Sequence, residues 1–211
     1  MGAIFDISQS LSPTMLRWPE SPAVSFTKRL SLARGDKADD TVVQLGAHAG
    51  THVDAPAHFI PGGATVDQLA LADLIGPAQV VDLGEAPIIT GALLTNLAIP
   101  AGATRLLFRT SNSLRLQHSG EFFRDYVALD DSAAEWLVSR GILLVGIDGF
   151  SIEPFGGQYH THQILLRAGM IVLEGILLQG VPEGLYELIC LPIKFEGVEA
   201  APGRAILRSL P

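Results

Sequence analysis

Ala47-His48-Ala49-Gly50-Thr51-His52-Val53-Asp54-Ala55-Pro56-Ala57-His58-Phe59 holds three of the chain's six histidines together with an aspartate. Imidazole and carboxylate are the common ligands of zinc and its neighbours, so the stretch is read first as part of a metal site. The residues just before it, Thr41-Val42-Val43-Gln44-Leu45-Gly46-Ala47, are rich in β-branched types and predict a strand. Gly50 permits a bend, and Pro56 argues against a helix. In an extended chain residues i and i+2 project to one side, so His52 and Asp54 share a face, and His48 can converge on them from across the bend. His58 is then either a further ligand or a free base beside the metal.

Outward from this stretch the pattern is mixed α/β. Ile4–Ile7 reads as an opening strand. Residues 10–23 carry Pro13, Pro19 and Pro22 around Trp18 and form a loop. Trp18 there is either a staple pinning the loop to the core or a wall of the site. Asp67–Gly76 predicts a short helix ended by glycine, Ala78–Leu83 a strand and Thr90–Leu97 a helix. Arg105–Thr110 reads as a strand running into a polar loop at Ser111-Asn112-Ser113, with His118 further on in solvent. Ser132–Glu135 has a capping-box pattern at the start of a helix stopped by Gly141. Ile142–Ile147 is an almost wholly apolar strand, as expected where both faces are covered, and Asp148 stands at its end. A helix over Thr161–Ala168, a strand over Met170–Leu178, and closing strands at Tyr186–Phe195 and Arg204–Arg208 complete the chain.

Composition narrows the function. Hydrophobic residues make up 48% and charged residues 17%, which describes one well-packed domain over residues 1–211. A net charge of −8 without a basic cluster makes nucleic acid and anionic membrane poor partners. No apolar run is long enough to span a bilayer. The opening residues lack a basic region followed by an apolar core, so no signal peptide is expected and a cytoplasmic location is the default. A single cysteine, Cys190, excludes both an intrachain disulfide and a cysteine-based zinc site.

Glu174 is the strongest signal outside the opening stretch. A carboxylate inside the apolar run Met170–Leu178 costs several kcal/mol unless it is paired or metal-bound. Its partner is either an arginine, such as Arg167 or Arg109, or a metal. His162 precedes it by one short helix and one turn, so both can return to the same point, with His160 as rival. His48, His52, Asp54, His162 and Glu174 exceed what one tetrahedral zinc needs. Two divalent metals bridged by carboxylates fit the count, and His58 is left to move a proton.

The motif His48-x-Gly50-Thr51-His52-x-Asp54-x-Pro56-x-His58 resembles the signature of the metal-dependent cyclase-like hydrolases. These include bacterial kynurenine formamidase (arylformamidase) and the isatin hydrolases. The segment from His162 to Glu174 resembles the family's second ligand segment. The likeness extends to Phe5–Ser8, Val145–Asp148 and Pro182–Pro192. It implies a swivelling β/β/α domain, a mixed sheet core with short helices, usually dimeric or tetrameric. It also implies a first metal held by His48, His52 and Asp54 and a second by Asp54, His162 and Glu174. The metals are commonly zinc, with manganese in isatin hydrolases. His58 would be the proton donor and acceptor, and Trp18 would line the pocket as in the formamidase branch. The chain departs from the usual pattern at Gly149-Phe150-Ser151, and Arg109–Ser113 is not diagnostic of one branch. The expected activity is hydrolysis of a non-peptide C–N bond in a small aromatic amide, N-formylkynurenine first, with Phe59, Phe150 or Phe155 joining Trp18 around the aryl ring. The alternatives are opening of a cyclic amide, imide or lactone, a metal-stabilised binding protein without turnover, and a cyclase or dehydratase suggested by the family's name alone.

Overall fold

The computed structural model describes residues 2–210. Strand β1 is Ile4–Asp6; β2, Ser25–Leu30, and β3, Asp40–Gln44, form a separate two-stranded ribbon. The main sheet adds β4 (His52–Asp54), β5 (Ile75–Asp82), β6 (Arg105–Arg109), β7 (Leu144–Ile147), β8 (Ile171–Glu174), β9 (Gly184–Pro192) and β10 (Ala200–Ser209). Its eight strands run in the order β1-β10-β4-β8-β7-β6-β5-β9, and β9 also pairs with β10. The sheet therefore closes on itself through every strand except β1, and the fold is mixed α/β with a closed, barrel-like sheet and short helices. Strands β5 to β8 are parallel neighbours, while β4, β9 and β10 pair antiparallel.

The parallel strands are buried on both faces, which is why they read as continuous apolar runs. Side chains alternate between the two sides of a strand. Leu106 and Phe108 of β6, with Val145 and Ile147 of β7, pack outward with Leu94, Leu137 and Leu165 of the helices. Leu107, Leu144 and Leu173 point into the barrel interior, where they meet Val53, Leu188 and Leu207. The helices are α1 (Leu71–Leu74), α2 (Gly91–Thr95), α3 (Asn112–His118), α4 (Asp131–Ser139) and α5 (His160–Arg167).

This alternation places the site. Val53 of β4 and Leu173 of β8 face the interior, so His52, Asp54 and Glu174 stand on the opposite side. There His52 and Glu174 are direct cross-strand partners. Leu165 anchors α5 in the outer core, and His162 lies one turn before it over the same face.

Four local expectations change. Residues 67–76 do not form one helix ending in glycine. A 3-10 turn at Val66–Gln68 is followed by the single turn α1, and Gly76 is already in β5, with Ile75 and Gly76 paired to β9. The polar segment at Ser111–Ser113 opens helix α3, because Thr110 and Ser113 turn inward and donate through backbone and hydroxyl to Asp148. His118 is exposed, at the end of that helix rather than in a loop. Helix α4 is capped by Asp130, whose side chain accepts from Ala133 N, so the Ser132 capping box does not form. Among the described residues no helix is long and apolar enough to cross a membrane.

Candidate metal centre

The loop from β3 into β4 brings His48 back onto the strand that follows it. Gly50 makes the turn with φ 63°, and Gly175, just after β8, has φ 69°. The two loops touch: a Cβ on Gly175 would lie 2.4 Å from Gly50 O. Thr51 Oγ1 and Gln9 Nε2 each donate to Gly175 O at 2.7 Å, tying the start of the chain to both ligand-bearing segments. A 3-10 turn over Pro56–His58 then carries His58 inward.

The distances are short throughout. His48 Nδ1 lies 2.9 Å and His52 Nε2 3.4 Å from Asp54 Oδ1. His52 Nε2 is 3.4 Å from Glu174 Oε2, and His162 Nε2 is 3.2 Å from Glu174 Oε1. His58 Nε2 is 4.0 Å from Asp54 Oδ2. Donor atoms of His52, Asp54 and Glu174 lie within 4.8 Å of one another, as do those of His48, Asp54 and His58. Asp54 is common to both groups. Among the described residues Glu174 has no arginine partner: Ile152 N donates to its Oε1 at 2.6 Å, while Arg109 is taken by Asp82 and Val181 O. His160 is exposed and lies beside Asp131, 3.7 Å away, outside the cluster.

The hydrogen bonds argue for a cation. His52 Nδ1 is 2.9 Å from Gly50 O, an acceptor only, so that nitrogen carries the proton. His162 Nδ1 likewise faces Glu153 Oε2 at 3.1 Å. In the neutral tautomers both Nε2 atoms then aim lone pairs at carboxylate oxygens. His52 Nε2 and both carboxylate oxygens of Asp54 are buried without a well-directed hydrogen bond among the described residues, His48 Nδ1 approaching Asp54 Oδ1 to 2.9 Å out of line for one. Three such acceptors facing one another are unfavourable unless a positive charge lies between them. This donor set fits divalent metals of the zinc and manganese kind.

Left to protons alone, the imidazoles would supply that charge. Burial pulls His52 down, but Asp54 and Glu174 outweigh it and raise it to about 9. His162 is likewise pulled down by burial and carried to about 10 by Glu153 and Glu174. Burial works to raise the Glu174 carboxyl, yet His162 and His52 bring it well below the usual range. His58 differs. Burial holds it below 6.5, helped by His48 and His162 and opposed by Asp54. It is the neutral imidazole of the group near neutral pH.

Above the cluster opens a cavity of about 600 Å³. Trp18, Phe59, Phe150 and Tyr159 line it with His48 and His58, while Phe155 is not in its wall. The two readings of Trp18 coexist. It lines the cavity and is also pinned from behind by Phe155, Phe122 and Tyr126, with ring centroids 5.1, 5.6 and 6.4 Å away.

Two carboxylates at the site are absent from the sequence reading. Glu153 accepts from the backbone of Tyr159 and from both N and Nδ1 of His162. Glu199 Oε1 lies 3.3 Å from His48 Nε2. The only trace of Glu153 in the sequence is an acid between Ile152 and Pro154 in an apolar stretch, the kind of signal that Glu174 also gives. A carboxylate behind a ligating histidine fixes its tautomer and orientation. Glu153→Gln is therefore expected to weaken metal binding about 10- to 100-fold while leaving the protein folded. Competition against a chromophoric chelator measures it.

A family model described as "Putative cyclase" matches residues 5–154. The chain belongs to the cyclase family. Cyclase-like protein 2 of Arabidopsis thaliana is 37% identical over 98% of this chain and 79% of that protein. Kynurenine formamidase of Salinibacter ruber is 38% identical over 99% of both chains. A solved structure described as a potential metal-dependent hydrolase with cyclase activity superposes with a TM-score of 0.86 at 31% identity, covering 100% of each chain. The cyclase family assignment agrees with the resemblance carried by His48–His58 and His162–Glu174.

Proposed function

We propose that the chain is a metal-dependent hydrolase that cleaves the non-peptide C–N bond of a small aromatic amide, with N-formylkynurenine as the first substrate to test. The observation that carries this reading is the convergence of His48, His52, Asp54, His162 and Glu174 around buried acceptor atoms that a shared metal cation satisfies together. Full-length similarity to a kynurenine formamidase supports the substrate class.

Divalent metals held by these residues would acidify water and polarise the amide carbonyl. The chain's own side chains do the rest. Asp54 and Glu174 balance the charge of the site, and Gly50 O and Glu153 hold His52 and His162 with Nε2 inward. The aromatic wall of Trp18, Phe59 and Phe150 takes an aryl ring and sheds water from around it. His58 is neutral and lines the cavity, so it can take a proton from attacking water and return it to the departing nitrogen. The products are the free arylamine and formate.

Metal-loaded protein is expected to turn over N-formylkynurenine faster than isatin, and chelator-treated protein neither. An absorbance assay of both substrates, repeated after metal is restored, checks this. Loss of both activities with metal present would sink the two substrate assignments together. Faster opening of isatin would move the substrate class to cyclic amides.

A further inference from the structure

The cavity wall contains one cation that the proposed chemistry does not use. Arg17 lines the cavity beside Trp18. Its Nε donates to Ser21 O at 3.1 Å across a turn closed by Ser21 N and Trp18 O at 3.0 Å. Arg17 is exposed; this contact ties its Nε to the turn without neutralising the charge, and among the described residues Arg17 makes no ion pair. The turn cannot swing away freely, because Trp18 is packed against Phe122, Tyr126 and Phe155.

The rest of the wall sets the arginine apart. Outside the histidine and carboxylate cluster, the only other charged residue lining the cavity among the described residues is Glu199, which already faces His48. An anionic group on a ligand is repelled by Glu199 and drawn to Arg17. The amide to be cleaved belongs at the floor, near His58, and the aryl ring belongs between the aromatic walls. A carboxylate carried on an arm of the aryl ring then has one uncompensated cation in the cavity wall to pair with, Arg17.

We infer that Arg17 is an anion-recognition residue that selects, among aryl amides, those bearing a carboxylate on an arm beyond the ring. A planar guanidinium with free N–H groups matches a carboxylate in a way a point charge does not. The inference rests on the amidohydrolase reading for its orientation and adds the substrate class.

The test compares N-formylkynurenine with its methyl ester, which removes the carboxylate charge and keeps the α-amino group, both assayed at a pH where that amino group is protonated in each. For the metal-loaded protein the ratio of kcat/KM for acid over ester is expected to be about tenfold. In Arg17→Gln the ratio is expected to fall to near one, through KM rather than kcat. In Arg17→Glu it should invert. Raising ionic strength should lower the ratio in the unmodified protein and leave it flat in Arg17→Gln. A ratio unchanged by Arg17→Gln overturns the inference. Should the unmodified protein hydrolyse neither compound, the amidohydrolase reading fails by itself. The same acid-over-ester ratio is then read from calorimetric binding of kynurenine and its methyl ester to metal-loaded protein. Equal affinities there, or a preference that survives Arg17→Gln, overturn the anion site independently.

Discussion

Glu174→Gln is expected to strip the site of metal and to lower hydrolysis by more than about a hundredfold, as thoroughly as His52→Ala. The side chain has no slack for the change. One oxygen accepts from Ile152 N and lies beside His162 Nε2, while the other lies beside His52 Nε2. An amide keeps the volume but loses the charge, and one of its two ends becomes a donor that cannot bind a cation. The loss exceeds the 10- to 100-fold typical of a residue behind a ligand, because Glu174 faces two imidazoles itself. Metal-free protein should suffer too, since removing one partner of a buried charge pair costs about 3–5 kcal/mol. Elemental analysis, with thermal unfolding before and after chelation, reads both effects. A Gln variant that keeps its metal and activity would show that the site does not span β4 and β8.

The same residue shows what could be read from the chain without coordinates. Glu174 stood out because a carboxylate inside the apolar run Met170–Leu178 demands a partner, and His52 and Asp54 because they alternate along a strand. Both signals are local and chemical. The cross-strand pairing of His52 with Glu174 is neither, since it depends on the antiparallel register of two strands far apart in sequence. Glu153 escaped notice for a related reason. Its importance comes from where α5 sets His162 Nδ1, and only the packing of that helix on the outer core determines this. The departures in secondary structure are of the same kind. Asp130 displaces Ser132 as the cap of α4, and Ser132 Oγ is instead occupied with Gly91 N and Asp130. Helix α3 replaces a loop because buried Asp148 gathers Thr110 and Ser113, and burial lifts its own carboxyl to about 6 despite four donated hydrogen bonds. Each outcome turns on a tertiary partner.

Replacing His58 by alanine is the complementary case: metal content and folding are expected to persist while turnover falls about 10²- to 10⁴-fold, the range for loss of a positioned acid–base group. The imidazole is within 4.0 Å of Asp54 Oδ2, yet it differs from its neighbours in the sign of its shift. Carboxylates raise His52 and His162, whereas burial and the neighbouring imidazoles hold His58 below its ordinary 6.5. A ligand needs only a lone pair, but a proton shuttle must be deprotonated when the water is attacked and protonated when the amine departs. A lowered value keeps the base form populated at neutral pH. The kcat/KM profile should therefore fall on the acid side with a midpoint below 6.5, and bound cations would push that midpoint lower still. In His58→Ala this acid limb should vanish from whatever activity remains. The ring also stacks near His48 and Phe59, with centroids 4.2 and 4.1 Å away, so alanine removes packing as well as a base. His58→Gln controls for the lost volume. It should restore stability without restoring the limb or the rate. If His58→Gln recovers turnover, the histidine only fills space. If His58→Ala sheds its metal, the residue belongs with His48 and Asp54 as a ligand.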